Sequence, residues 1–357
     1  MNDAALLEAA RVTVEPAAGR PLGEAVRSVR VAGDVAQVEV ELGFPAGGHA
    51  GALRAALAER LAAAGWAGRV DVALTARIRP QAVQGGLKPL PGISNVVAVA
   101  SGKGGVGKST VSANFALALA AQGARVGLLD ADVYGPSQPL MMGLEGQRPT
   151  TPDGKSIEPL VAYGVKVMSI GFLVDTDQPM VWRGPMVTQA LSQLLTETRW
   201  GELDYLVVDM PPGTGDTQLT LSQRVPVSGA IVVTTPQDIA LLDARKGLQM
   251  FRKVAIPVLG IVENMATHVC SNCGHEEPIF GAGGGERMAA QYGVPLLGAV
   301  PLDIRIREHA DGGRPTVVAE PASALAQAYH AIARRAAARL AAGADATAFP
   351  TLSASDD

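Results

Sequence analysis

The apolar run Val96-Val97-Ala98-Val99-Ala100 leads, through Ser101, into Gly102-Lys103-Gly104-Gly105-Val106-Gly107-Lys108-Ser109. The run has the length and β-branching of a buried strand, and the octet has the spacing G-x-x-x-x-G-K-S. Glycines after such a strand let the backbone turn tightly enough to aim several N–H groups at one anion. A helix starting near Lys108 adds its positive end. The expected ligand is the phosphate chain of a nucleotide. Lys108 would reach the β- and γ-phosphates and the Ser109 hydroxyl would be a ligand of Mg²⁺, with Gly102, Lys103, Gly104, Gly105, Val106, Gly107 and Thr110 completing the cradle. Lys103 sits too early in the loop to fold back onto phosphates already served by Lys108. It is expected to reach a partner's nucleotide. The bland alternative is a glycine-rich turn with two solvated lysines. Seven lysines stand against 23 arginines in the chain, yet both loop positions hold the compact ammonium, which weighs against that alternative.

At 357 residues the chain exceeds one typical domain and predicts a large core plus a smaller module. A net charge of −4 with interspersed signs argues against nonspecific nucleic-acid binding. The opening Met-Asn-Asp-Ala-Ala-Leu-Leu-Glu lacks a continuous apolar stretch, and no run approaches about 18 strongly apolar residues. The expectation is a soluble cytoplasmic protein with neither nucleic acid nor membrane as partner.

In residues 1–80, Val38, Val40 and Leu42 alternate with Gln37, Glu39 and Glu41, the pattern of a strand with one wet face. A helix is expected over about Gly51 to Ala64, followed by alternation at Val70, Val72 and Leu74. These features predict a small α+β domain. Residues 81–94, rich in Gly and Pro, read as a linker. From 95 to 342, continuous apolar runs (Val126–Leu129, Val165–Ile170, Tyr205–Val208, Ala230–Val233, Val258–Val262 and Leu296–Val300) alternate with helical stretches. That order predicts an α/β domain, a mostly parallel sheet between helix layers with ligands at the carboxyl ends of its strands. The last helix is expected at about Ser323 to Ala342, and 343–357 read as a disordered tail.

Two apolar runs end in acids. Leu128-Leu129-Asp130-Ala131-Asp132 carries two carboxylates that extended backbone would point the same way, and Leu206-Val207-Val208-Asp209 has the Walker B arrangement. One acid could hold the Mg²⁺ shell and another orient an attacking water. Alone, each aspartate reads as a strand-end turn residue; beside a complete phosphate loop the three read as a site. Prolines and glycines from Pro211 to Gly215 would make a loop responsive to the γ-phosphate.

Both cysteines, Cys270 and Cys273, fall in one C-x-x-C, which in a reducing compartment suggests a metal or redox role. Two thiolates are half of a four-coordinate soft-metal site. A symmetric dimer would supply the other half and suit one bridging iron–sulfur cluster. Local zinc is the alternative, because His268 and His275 flank the pair, and a redox dithiol is a third reading.

The strings S-G-K-G-G-V-G-K-S-T, L-L-D-A-D-V-Y-G-P-S-Q-P, D-M-P-P-G-T-G-D, T-T-P-Q-D-I-A-L-L-D, and V-E-N-M ahead of C-x-x-C-G together resemble the Mrp/ApbC family of iron–sulfur cluster carrier ATPases. That family lies within the deviant Walker A group of P-loop NTPases that includes MinD, ParA and the nitrogenase iron protein. The resemblance spans about Leu90 to Ala342, and the first module is similar to a small domain that precedes the ATPase in many members. It implies slow ATP hydrolysis by a homodimer, with Lys103 crossing to the partner's nucleotide, Lys108 and Ser109 on phosphate and Mg²⁺, and Asp132 positioning the hydrolytic water. Asp130 and Asp209 would support the metal and Asn264 would read the adenine. Cys270 and Cys273 would bind a [4Fe–4S] cluster shared across the dimer, for delivery to apo client proteins. One departure is Ala266-Thr267-His268-Val269, where the family often has an aromatic residue. The rival readings are a spatial organiser of the ParA or MinD type using the same switch, and a plain nucleotidase or nucleotide switch in which C-x-x-C binds zinc or is vestigial.

Overall fold

The computed structural model describes residues 2–173 and 184–343; apart from Gly343, the tail expected at 343–357 lies outside them. The N-terminal part begins with α1 (Asp3–Arg11), capped by Asn2, whose Oδ1 accepts from the Ala5 N–H at 2.9 Å. Strand β1 (Val26–Ala32) runs antiparallel to β2 (Val35–Leu42). Ala36, Val38, Val40 and Leu42 of β2 are buried, while Gln37 and Glu39 between them are exposed. Helix α2 (Ala50–Ala63) buries Leu53, Leu57 and Leu61, one residue per turn, and β3 (Arg69–Ala76) lies parallel to β2 to complete a three-stranded sheet.

The larger sheet follows in chain order: β4 (Ile93–Ser101), α3 (Lys108–Ala121), β5 (Val126–Asp130), α4 (Gln138–Met141), β6 (Leu160–Ala162), β7 (Val165–Ser169), α5 (Gly184–Glu197), β8 (Leu203–Asp209) and α6 (Asp216–Arg224). Then come β9 (Gly229–Thr234), α7 (Asp238–Lys253), β10 (Val258–Val269), β11 (Glu276–Glu277), α8 (Gly284–Tyr292), β12 (Leu296–Leu302), α9 (Ile304–Asp311), α10 (Thr316–Ala319) and α11 (Ala324–Ala341). Strand order is β11-β10-β9-β4-β8-β5-β7-β6, with β12 also on β10. The pairs are parallel except β6 with β7 and β11 with β10. Every residue of β5 and β9 is buried, as continuous apolar strands covered on both faces require. The phosphate-loop strand β4 is central, between β8 and β9, so its carboxyl end opens between the helices that cross over on either side.

The smaller sheet rests on the larger unit through a close backbone approach. The Gly47 N–H donates to Gln122 O at 3.0 Å at the end of α3, and Arg334 Nη2 of α11 donates to Gly47 O at 3.2 Å. A Cβ at Gly47 would stand 2.7 Å from Gln122 Cα, so glycine permits the contact. Behind it, His49 and Glu15 form a buried pair. Residues 81–94 are no free tether. Gln84, 7% exposed, donates through Nε2 to Ser222 O (2.8 Å) and Val225 O (2.7 Å), while its Oε1 accepts from Val227 N (2.9 Å). These bonds satisfy carbonyls at the end of α6 that its own turns leave open. Among the described residues no helix is long and apolar enough to cross a membrane.

Candidate nucleotide site and cysteine hairpin

Strand β4 ends at Ser101, whose hydroxyl donates to Lys103 O at 2.9 Å and starts the turn. Gly105 and Gly107 both have φ of 81°, a left-handed backbone that glycine adopts without strain. Gly107 has a second reason to be glycine, since an added Cβ would lie 2.2 Å from Asn264 Nδ2. Asn264 holds the loop directly, donating from Nδ2 to Val106 O at 2.8 Å. Its amide therefore braces the phosphate cradle, in addition to any contact with a base.

Lys108 opens α3 and is 5% exposed. Its Nζ lies 2.6 Å from Asp209 Oδ1 and 3.1 Å from Ser109 Oγ. Ser112, one turn on, donates to the same Asp209 oxygen at 2.8 Å. Gln138 Nε2 donates to Asp209 Oδ2 at 2.9 Å and to Ser109 O at 3.0 Å. Walker B acid, loop lysine and loop serine thus meet at one buried point. Lys103 is half-exposed, and among the described residues its ammonium has no ion-pair partner.

Asp130 and Asp132 do not share one open crevice. Strand β5 stops at Asp130, so the extended alternation that would align the two carboxylates ends there. Asp130 is fully buried and folds the following loop around itself, accepting from the N–H groups of Asp132, Ser137 and Gln138 and from the Ser169 hydroxyl. Burial, and next the charge of Asp209, push its carboxyl up to about 7. Asp132 is half-buried on the loop, and burial holds its carboxyl above the ordinary range, with the Lys108 charge opposing. A carboxylate raised in this way is a better proton acceptor from water.

Strand β10 continues past its apolar half, through Met265 (φ 56°), to Val269, where His268 and Val269 pair with Glu277 and Glu276 of β11. The cysteine pair sits in the connecting turn. The Cys270 N–H donates to His275 O at 2.9 Å and the Gly274 N–H to Cys270 O at 2.8 Å. Cys273 is exposed and Cys270 half-buried. N–H groups of Asn272 and Cys273 hold the Cys270 thiol below its usual range, which favours the thiolate. Among the described residues no three His, Cys, Asp or Glu side chains converge to hold a metal, so the local zinc arrangement is not preformed. Antiparallel pairing of β10 with β11 fixes His268 on a strand and leaves His275 exposed, so the four side chains do not wrap one ion.

The composition of the acid pocket was only partly legible. Ser112, Ser137 and Gln138 escaped sequence reasoning, although Ser137 and Gln138 stand in the string L-L-D-A-D-V-Y-G-P-S-Q-P.

A central parallel strand, a phosphate loop with two lysines and a strand-end acid paired to the second of them define a P-loop NTPase. The profile of the ParA group, described as NUBPL iron-transfer P-loop NTPase, matches residues 92–337, and the chain belongs to that family. The chain is 63% identical over 257 residues to the iron-sulfur cluster carrier protein of Pseudomonas fragi, covering 72% of this chain and 90% of that protein. With the Haemophilus influenzae iron-sulfur cluster carrier protein identity is 54% over 316 residues (87% and 84% covered), a span that reaches into the small N-terminal sheet. The mouse iron-sulfur cluster transfer protein NUBPL is 54% identical over 255 residues (71% and 80%). Among solved structures, the nucleotide-binding protein of Archaeoglobus fulgidus in complex with ADP superposes with a TM-score of 0.56 at 39% identity, covering 65% of this chain and 90% of that one.

Proposed function

We propose that this chain carries iron–sulfur clusters to apoproteins, as a homodimer switched by ATP binding and hydrolysis. The observation that carries the reading is the cysteine hairpin: two thiols on one exposed turn, with no third ligand beside them among the described residues. A second copy supplies the missing pair, so that Cys270 and Cys273 of both protomers hold one [4Fe–4S] cluster as cargo. An exposed, shared cluster is suited to release.

At the nucleotide, the loop N–H groups and Lys108 bind the phosphates, and Lys103 reaches the partner's nucleotide. Asp132 orients the attacking water and takes its proton as ADP leaves. Ser109 and Asp209 are the hard oxygen donors that Mg²⁺ would take, directly or through water, with Asp130 supporting them from behind by fixing the following loop, and the ion would neutralise phosphate charge. Asn264 lies midway along β10, which runs on to Val269 next to Cys270, so one strand joins the loop to the cysteine turn. Nucleotide state and cluster affinity are coupled through that strand and the dimer interface. A transfer assay tests the function: loaded protein should activate an apo iron–sulfur enzyme, and the Cys270→Ala/Cys273→Ala variant should not. Equal activation by both would refute it.

A further inference from the structure

We propose that Gln138 is a positioning residue of the hydrolytic site. Its amide N–H groups lock Asp209 to the start of α3, and its carbonyl oxygen receives a hydrogen bond from the hydrated Mg²⁺ of bound nucleotide. The proposal rests on the nucleotide reading above.

Gln138 is 0% exposed and joins two strand ends and the start of α3. Its backbone N–H donates to Asp130 Oδ2 at 3.0 Å, while its side-chain nitrogen serves Asp209 Oδ2 and Ser109 O. The orientation of the amide follows from its neighbours. Both groups facing Nε2 are acceptors only, so a flipped amide would set oxygen against oxygen. Oε1 consequently points away from Asp209 and Ser109, and it is buried without a hydrogen-bond partner, as is the neighbouring Ser137 Oγ.

A buried carbonyl left unpaired loses its solvation and gains nothing in return, and most buried amides are satisfied. Gln84 has both ends of its amide bonded, whereas Gln122 and Gln218 also carry unpartnered amide atoms; Gln138 differs from these in that its other amide end grips Asp209 and Ser109. The open acceptor of Gln138 lies on the residue that also grips the Walker B acid and the serine assigned to the metal, where donors arrive as metal-bound water. Gln138 also answers a mechanical need. When Lys108 turns to phosphate it leaves Asp209 Oδ1, and Gln138 and Ser112 then keep the carboxylate in place.

The test is ATP binding by calorimetry, in Mg²⁺ and in EDTA, for full-length wild type, Gln138→Leu and Gln138→Asn, with melting temperatures alongside. The leucine variant should bind metal-free ATP within about twofold of wild type and lose about tenfold of the affinity gained from Mg²⁺, as loss of a hydrogen bond in a charged network predicts. The asparagine variant, with the amide drawn back by one methylene, should lose part of that gain, and it carries the test if the leucine variant does not fold. An unchanged Mg²⁺ gain in the folded variants, or equal losses with and without the metal, overturns the assignment. A wild type that binds no ATP overturns the nucleotide reading as well.

Discussion

Lys108 Nζ and Asp209 Oδ1 lie 2.6 Å apart with exposures of 6% and 0% for their side chains, so the phosphate-loop cation and the Walker B anion form one buried pair. The lysine is assigned to phosphate, and in this structure it faces the carboxylate that is assigned to metal. Breaking such a pair by deleting one partner leaves an uncompensated buried charge, at a cost of about 3–5 kcal/mol. Lys108→Ala should therefore abolish hydrolysis and also lower the melting temperature, and adding Asp209→Asn should recover part of the lost stability. A double-mutant cycle by thermal denaturation reads this; strictly additive losses would contradict the pairing.

Gly107 meets two constraints at once. Gly107→Ala forces a left-handed backbone on a residue with a Cβ, costing about 1–3 kcal/mol, and drives that Cβ into Asn264 Nδ2. The variant should lose nucleotide binding, and Asn264→Ala placed on top should restore stability in part, because the collision is removed while the backbone strain stays. Nucleotide titration with melting curves measures both.

The N-terminal module carries its own pH dependence. Burial pushes the Glu15 carboxyl up, but the hydrogen bonds from His49, Ala18 and Ala17 outweigh it and leave the group below its usual range. A carboxylate depressed in the folded state contributes stability above its unfolded pKa and loses it as pH falls through the folded value. Acidification below the ordinary carboxylate range should loosen this module, seen as faster amide exchange in α2. Glu15→Gln should flatten that profile; an unchanged profile would rule out Glu15 as its source.

Gln84 ties the segment between the two sheets to the end of α6, the helix that follows the Pro211–Gly215 loop. Gln84→Ala leaves buried groups at Ser222, Val225 and Val227 without partners, at about 1–3 kcal/mol for each such group. The expected outcome is faster amide exchange in α6 with β4 unchanged. Unaltered exchange at α6 would show that the tie carries no load.

The central sheet was readable because its strands are buried on both faces and therefore apolar without interruption, as in Val126–Leu129 and Ala230–Val233. Strand β10 was readable only to Val262. Its continuation passes through the buried polar Glu263 and Asn264, then runs half-buried from Met265 to Val269, held by β12 and β11, so the apolar signal stops where the backbone does not. The phosphate loop was legible because its chemistry is local, eight residues in one turn. The contacts around Asp209 join residues 71 to 101 positions apart, and Gln138 or Ser112 in isolation resembles any polar residue near a helix start. Gln84 was hidden for a related reason: a Gly- and Pro-rich segment reads as loose, and only the end of α6 shows what one glutamine in it does.

In the proposed carrier two cysteine hairpins, one from each protomer, complete a single cluster site. Anaerobic reconstitution with iron and sulfide, followed by iron content, absorbance and mass for wild type and Cys270→Ala/Cys273→Ala, tests it most directly. The expected result is about four irons per dimer, one [4Fe–4S] cluster, absent from the double variant. Zinc on monomers, or iron retained without the cysteines, would contradict it.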